Sequence, residues 1–83
     1  MLYLIGTEYK NVSEIRSILN RHVEAYTLLE GTGAWKGVPE RAVTIMIVTD
    51  DAERVTRVAE EIKAWNDQEA VLVIALPCEV SFI

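Results

Sequence analysis

Glu30 to Thr49 reads EGTGAWKGVPERAVTIMIVT, and its character changes halfway. Ala42 to Thr49 is dominated by β-branched side chains and reads as a strand. Side chains alternate along a strand, so Val43, Ile45 and Ile47 lie on one face, with Ala42, Met46 and Val48 on the other. Only Thr44 is polar among them, so both faces are apolar. Ala25 to Leu29 has strand-like composition as well, and between the two runs lie the glycines, Trp35, Lys36 and Pro39, which turn or shape a chain.

Outward from this pair, Met1 to Thr7 is a short apolar run and reads as a first strand. The period then changes. Val12, Ile15, Ile18, Leu19 and Val23 recur at helical spacing and place a helix over Asn11 to His22, with Asn11 as its cap and Glu14 answering back. Asp50 and Asp51 offer caps for a second helix, Glu53 suits its first turn, and Val55, Val58, Ala59, Ile62 and Trp65 form its apolar stripe. Asn66 and Asp67 end that helix. Ala70 to Leu76 is a last long strand stopped by Pro77, and Glu79 to Ile83 alternates as a short terminal strand. The order predicts an α+β, ferredoxin-like βαββαβ sandwich with an antiparallel sheet and both helices on one face. Residues 1–83 are expected to form one domain, with no repeat or linker. An amino-acid-binding regulatory domain of the ACT type shares this topology.

A monomer of this fold should alternate apolar inward and polar outward. The other strands also decline to do so. Leu2 and Leu4 oppose Tyr3 and Ile5, while Val71, Val73 and Ala75 oppose Ala70, Leu72, Ile74 and Leu76. Helices cover one apolar face; a second copy of the chain is the economical cover for the other.

Hydrophobic residues make up 51% of the 83, a surplus in keeping with such a contact. The net charge of −5 repels phosphate backbones and disfavours nucleic acid and anionic membranes as partners. Charged residues interrupt every apolar run before the ~20 residues needed to span a bilayer, and MLYLIGTEYK lacks a basic signal-peptide region. Cys78, the single cysteine, agrees with a reducing compartment, and a cytoplasmic location is expected.

Among residues that carry chemistry, Gly31, Gly33 and Gly37 allow close backbone approach, Trp35 offers a stacking face, and Lys36 and Arg41 offer positive charge; the candidate ligand site is Gly33, Trp35, Lys36, Gly37 and Arg41. Together they suit an anionic or planar small molecule. Glycine bulges, a Trp35 packed on a neighbour and a solvated Lys36 would explain the same residues without a ligand. The GxG here opens no helix and is no nucleotide fingerprint. His22 and Cys78 stand alone in sequence, so no metal site is expected, and no cofactor. No Ser/His/Asp set is recognisable. Asp50 with Asp51 reads as helix capping, and Glu60 with Glu61 as a solvated helix face, so no catalytic residue is assigned and the chain is expected not to be an enzyme.

The βαββαβ order, the segment GAWKGVPE and the segment VLVIALPCEV together resemble the PII-like and CutA-like superfamily of small trimeric proteins. GAWKGVPE is similar to the tryptophan-lysine-glycine hairpin of CutA-like proteins, and VIALP to the segment closing their fourth strand. The resemblance implies a homotrimer with clefts between subunits near the long hairpin, where partners or ligands act, and a signalling or metal-tolerance setting. PII signalling proteins carry a phosphate loop between strand three and the second helix. VTDDAERV stands there instead and is acidic, so their usual triphosphate mode is not expected.

Overall fold

The computed structural model describes residues 1–83. Its elements run β1 (Leu2–Glu8), α1 (Val12–His22), β2 (Thr27–Trp35), β3 (Val38–Val48), α2 (Ala52–Asn66) and β4 (Leu72–Leu76). The strands form one antiparallel sheet in the order β2-β3-β1-β4. This is the expected ferredoxin-like α+β arrangement.

Both helices lie on one face of the sheet. Tyr3, Ile5, Val43, Ile45 and Ile47 point towards them and are buried against Ile15, Ile18 and Leu19 of α1 and Val55, Val58 and Ile62 of α2. The intervening residues face away. Register places Leu2 beside Val48 and Leu76, and Leu4 beside Met46 and Ile74, on a face that no element covers. Leu72, Leu76 and Val48 are exposed there. The two apolar faces expected of the strands are thus present, with one of them open.

Four local features differ from the sequence-based expectation. First, the strands do not stop at Leu29 and Ala42, as their composition suggests, but run on through the glycine-containing segment. Strands β2 and β3 pair without interruption from Thr27↔Met46 to Trp35↔Val38, so neither Gly31 nor Gly33 makes a bulge. Only Lys36 and Gly37 turn, with φ of 50° and 82°. Positive φ at both central residues is the signature of a type I′ turn, whose twist matches that of paired strands; Gly37 takes it without a Cβ penalty. Pro39 is tolerated because it sits where β3 has outrun β1 and no ladder partner awaits its missing N–H.

Second, Asn66 rather than Trp65 continues the buried stripe of α2. Asn66 is fully buried, whereas Trp65 is exposed. A burial stripe that follows Ile62 can step by three or four, and here polar partners decide. Asn66 Oδ1 accepts from Asn11 Nδ2 at 3.2 Å, Asn66 Nδ2 donates to Gln68 Oε1 at 2.9 Å, and Asn66 O accepts from Lys10 Nζ at 2.8 Å. The Thr7 hydroxyl also reaches Gln68 Oε1. Third, Asn11 takes this role instead of capping α1: it sits at the helix start with φ 53°, and its side chain makes no cap bond. Replacing Asn66 by Ala removes the two side-chain bonds, to Asn11 Nδ2 and Gln68 Oε1, and empties a fully buried position, while the carbonyl bond to Lys10 survives. The expected cost is about 1–3 kcal/mol, read as a lower urea midpoint with an unchanged m value. An unmoved midpoint would show the network to be idle.

Fourth, the short terminal strand expected at Glu79–Ile83 does not form within the chain. Residues beyond Leu76 have no ladder partner, and Phe82 and Ile83 stand fully exposed. Helix α2 matches expectation at both ends. Asp51 accepts from the Arg54 backbone N–H at 3.0 Å, and the bonds Asp67 N–H to Ala64 O and Gln68 N–H to Lys63 O close a Schellman motif around a left-handed Asp67.

Candidate functional site

The 11-residue β3 outruns the 7-residue β1, so the β2–β3 hairpin overhangs the sheet from Thr32 through Arg41. Its two-residue turn brings Trp35, Lys36 and Gly37 to the tip. Alternation from the registered pairs puts Gly31, Gly33 and Trp35 on the open face, together with Ala42 and Thr44. Trp35 is 51% exposed there, and Lys36 Nζ lies 5.8 Å from its ring centroid, within cation–π range. A Cβ added at Gly31 would meet nothing within 4 Å, while one at Gly33 would come 3.4 Å from Ala42 Cβ. The backbone at Gly31 is therefore bare, whereas Gly33 lies against Ala42 and has Glu40 as its registered neighbour on the same face.

Arg41 belongs to the opposite side of the hairpin. Its guanidinium lies 3.7 Å from the Tyr9 ring centroid, Nη2 is 3.6 Å from Glu30 Oε2, and its carbonyl accepts the Tyr9 N–H at 3.1 Å. Of the five candidate ligand-binding residues, the fold thus brings Gly33, Trp35, Lys36 and Gly37 together and turns Arg41 away from them. Lys36 also has a carboxylate nearby, Glu69 Oε1 at 3.7 Å, supplied by the connection between α2 and β4. Sequence reading missed Tyr9, Glu30 and Glu69 as neighbours of the two cations. Glu30 lies two positions diagonally from Arg41 once the register is known; no local signal marks Tyr9 or Glu69.

Elsewhere, His22 bridges the helices, its Nε2 standing 2.5 Å from Glu61 Oε2, with Arg21 Nη2 3.5 Å from the other oxygen of that carboxylate. Glu61 is therefore an interhelical partner and not only a solvated side chain, whereas Glu60 stays exposed. Cys78 is exposed in the tail, remote from that pair, and no three His, Cys, Asp or Glu side chains are grouped as a metal would need. The N-terminus of α2 is already filled by the Asp51 carboxylate, so the position where a phosphate loop would work presents a negative charge. At the other end of the open face, an apolar groove of about 690 Å³ runs between the sheet and the tail, lined by Leu2, Tyr26, Met46, Val48, Val80 and Phe82 among others. No helix is long and apolar enough to cross a membrane.

No family model and no curated protein matches the chain. Solved structures do. CPII, a nitrogen regulatory PII-like protein from Thiomonas intermedia K12 solved with ADP, AMP and bicarbonate bound, superposes with a TM-score of 0.73 at 17% identity, over 99% of this chain and 92% of that one. The periplasmic divalent cation tolerance protein CutA from Archaeoglobus fulgidus gives 0.56 at 22% identity, over 99% and 88%. The divalent cation tolerance protein from Thermus thermophilus gives 0.56 at 18%, over 98% and 85%. These likenesses span nearly the whole chain and bear out the fold that the resemblance implied: the protein has the fold of the PII-like and CutA proteins.

Proposed function

We propose that the chain is a non-enzymatic, homotrimeric binding or regulatory protein of the cytoplasm, formed of a single domain. Its copies meet through the open sheet face, and an anionic small molecule or nucleotide binds in the cleft between subunits near the hairpin. The observation that carries the proposal is the open face itself, where Leu2, Leu4, Met46, Val48, Ile74 and Leu76 form one apolar surface that no helix or strand covers, the tail alone lying along its Leu2, Met46 and Val48 end. Burial of such a surface against copies of itself is the usual remedy in a chain this small. Trp35 lies on the same face, so assembly sets its indole at a subunit boundary, with Lys36 beside it and the side-chain-free Gly33 two residues away. Stacking falls to Trp35, charge neutralisation to Lys36, and close approach to Gly33 and Gly37. Arg41 contributes only if its contacts with Glu30 and Tyr9 open. The fold shared with CPII, which holds ADP, AMP and bicarbonate, supports a search among such anions.

Titration calorimetry with ADP, AMP, bicarbonate and small carboxylates tests the site. At least one is expected to bind, and the Trp35→Ala, Lys36→Ala double variant is expected to bind it about five- to a hundredfold more weakly, the range that loss of one aromatic stack implies. Absence of binding across the series, or a double variant with wild-type affinity, overturns the site.

A second reading is an interaction module in which Trp35 clamps a neighbouring copy and no small molecule takes part. It is favoured by one observation: both Lys36 and Arg41 already have carboxylate partners. Under that reading Trp35→Ala lowers the mass of the assembly at micromolar concentration, and no anion binds.

A further inference from the structure

We propose that Glu69 is the resting counter-ion of the hairpin tip, and that an anionic ligand enters by displacing it from Lys36. This rests on reading the tip as an anion site and adds to it an intramolecular competitor.

Three cations near the hairpin tip and the Asn66 network, Lys10, Lys36 and Arg41, are held differently. Lys10 donates to the Asn66 carbonyl at 2.8 Å, within the buried polar network. Arg41 has an aromatic ring, a carboxylate and a backbone bond holding it in place. Lys36 has one exposed ion pair, 3.7 Å long, and a loose approach to Trp35. An exposed pair of this kind is weak and exchanges readily with solvent ions. Lys36 is therefore the cation free to change partners.

Glu69, by contrast, is carried on an anchored backbone. Its neighbour Gln68 donates its backbone N–H to Lys63 O at 3.1 Å and its side-chain amide to Ala70 O at 3.1 Å, while Gln68 Oε1 is held by Asn66 and Thr7. The backbone that carries this carboxylate thus stays beside the tip whether or not Lys36 faces it. A tethered competitor lowers the apparent affinity for every anion, and it favours ligands whose charge or second contact, such as a ring stacked on Trp35, outweighs one carboxylate. Displacement also breaks the one ion pair between the hairpin tip and the α2–β4 connection, so occupancy and the attachment of the hairpin are linked.

The test compares wild type, Glu69→Gln and Glu53→Gln as full chains, with ADP and inorganic phosphate as probes. Glu53→Gln makes the same charge change at the far end of α2, in a side chain paired with Arg57. Glu69→Gln is expected to bind the probes about two- to fivefold more tightly, the strength of one exposed ion pair. Glu53→Gln is expected to match wild type. The side-chain carboxyl carbon resonance of Glu69 should move when ADP is added to wild type, and that of Glu30 should not. Equal affinities in wild type and Glu69→Gln, with the probes still bound, overturn the displacement and leave the anion site standing. Failure of all three proteins to bind either probe removes the anion site for these ligands, and the displacement with it.

Discussion

Leu4→Asp is expected to break the assembly into folded monomers, whereas Ile5→Asp, one residue along the same strand, is expected to unfold the chain. Leu4 points away from the helices, between Met46 and Ile74 on the open face. In an isolated chain an aspartate there meets water and costs at most about 1 kcal/mol in strand preference. In a trimer joined through that face, three symmetry-related carboxylates would be buried together without partners. Each such ion carries a penalty of several kcal/mol even after relaxation, which exceeds what a small interface can absorb. Ile5 is fully buried, paired with Ile45 and Val73 beneath the helices. No water reaches it, so a carboxylate there opposes folding itself. Sedimentation equilibrium and far-ultraviolet circular dichroism separate the outcomes. A Leu4→Asp protein that keeps the mass of the wild-type assembly would remove the open face from the interface.

Ile45→Ala is expected to lower stability by about 2–5 kcal/mol, the range for truncating a fully buried aliphatic side chain in a site that collapses incompletely. Ile45 lies at the centre of the sheet, registered with Ile5 on β1 and Leu28 on β2, and has no exposed surface. The whole chain has about 4–12 kcal/mol to lose by its size, so this one change can consume much of it. Met46→Ala gives the matching control. Met46 points to the open face, so its truncation should be mild below the concentration of assembly and grow once copies associate. Urea melts at two protein concentrations check both statements. Equal losses for Ile45→Ala and Met46→Ala in the dilute monomer would contradict the division of the sheet into a covered and an open side.

The features most legible in the sequence were those set by a repeating pattern. The change from strand to helical period at Asn11 and again at Asp50 gives the βαββαβ order, and the lack of polar alternation in Ala42–Thr49 and Ala70–Leu76 foretells two apolar faces. Less legible were features that depend on residues far apart. Trp65 and Asn66 both fit the α2 stripe by spacing, and the choice of Asn66 is made by Asn11, 55 positions earlier, and by Gln68. The same bond draws Asn11 away from capping its own helix. Glycines and Pro39 depress the strand signal between Leu29 and Ala42, and Lys-Gly is a less familiar I′ pair than Asn-Gly, so the two strands read as shorter than the continuous ladder they form. The candidate site divides in a related way. Trp35, Lys36 and Gly37 are neighbours at a turn, which local sequence shows, but the face taken by Arg41 follows from register, which it does not. The tail alternates as a strand should, yet no edge within the chain receives it.

The mass of the wild-type protein in dilute solution is the most direct test. Sedimentation equilibrium is expected to give three times the 9.3 kDa of one chain. A stably folded species of 9.3 kDa, with its second sheet face open to water, would contradict the account and the shared clefts that depend on it.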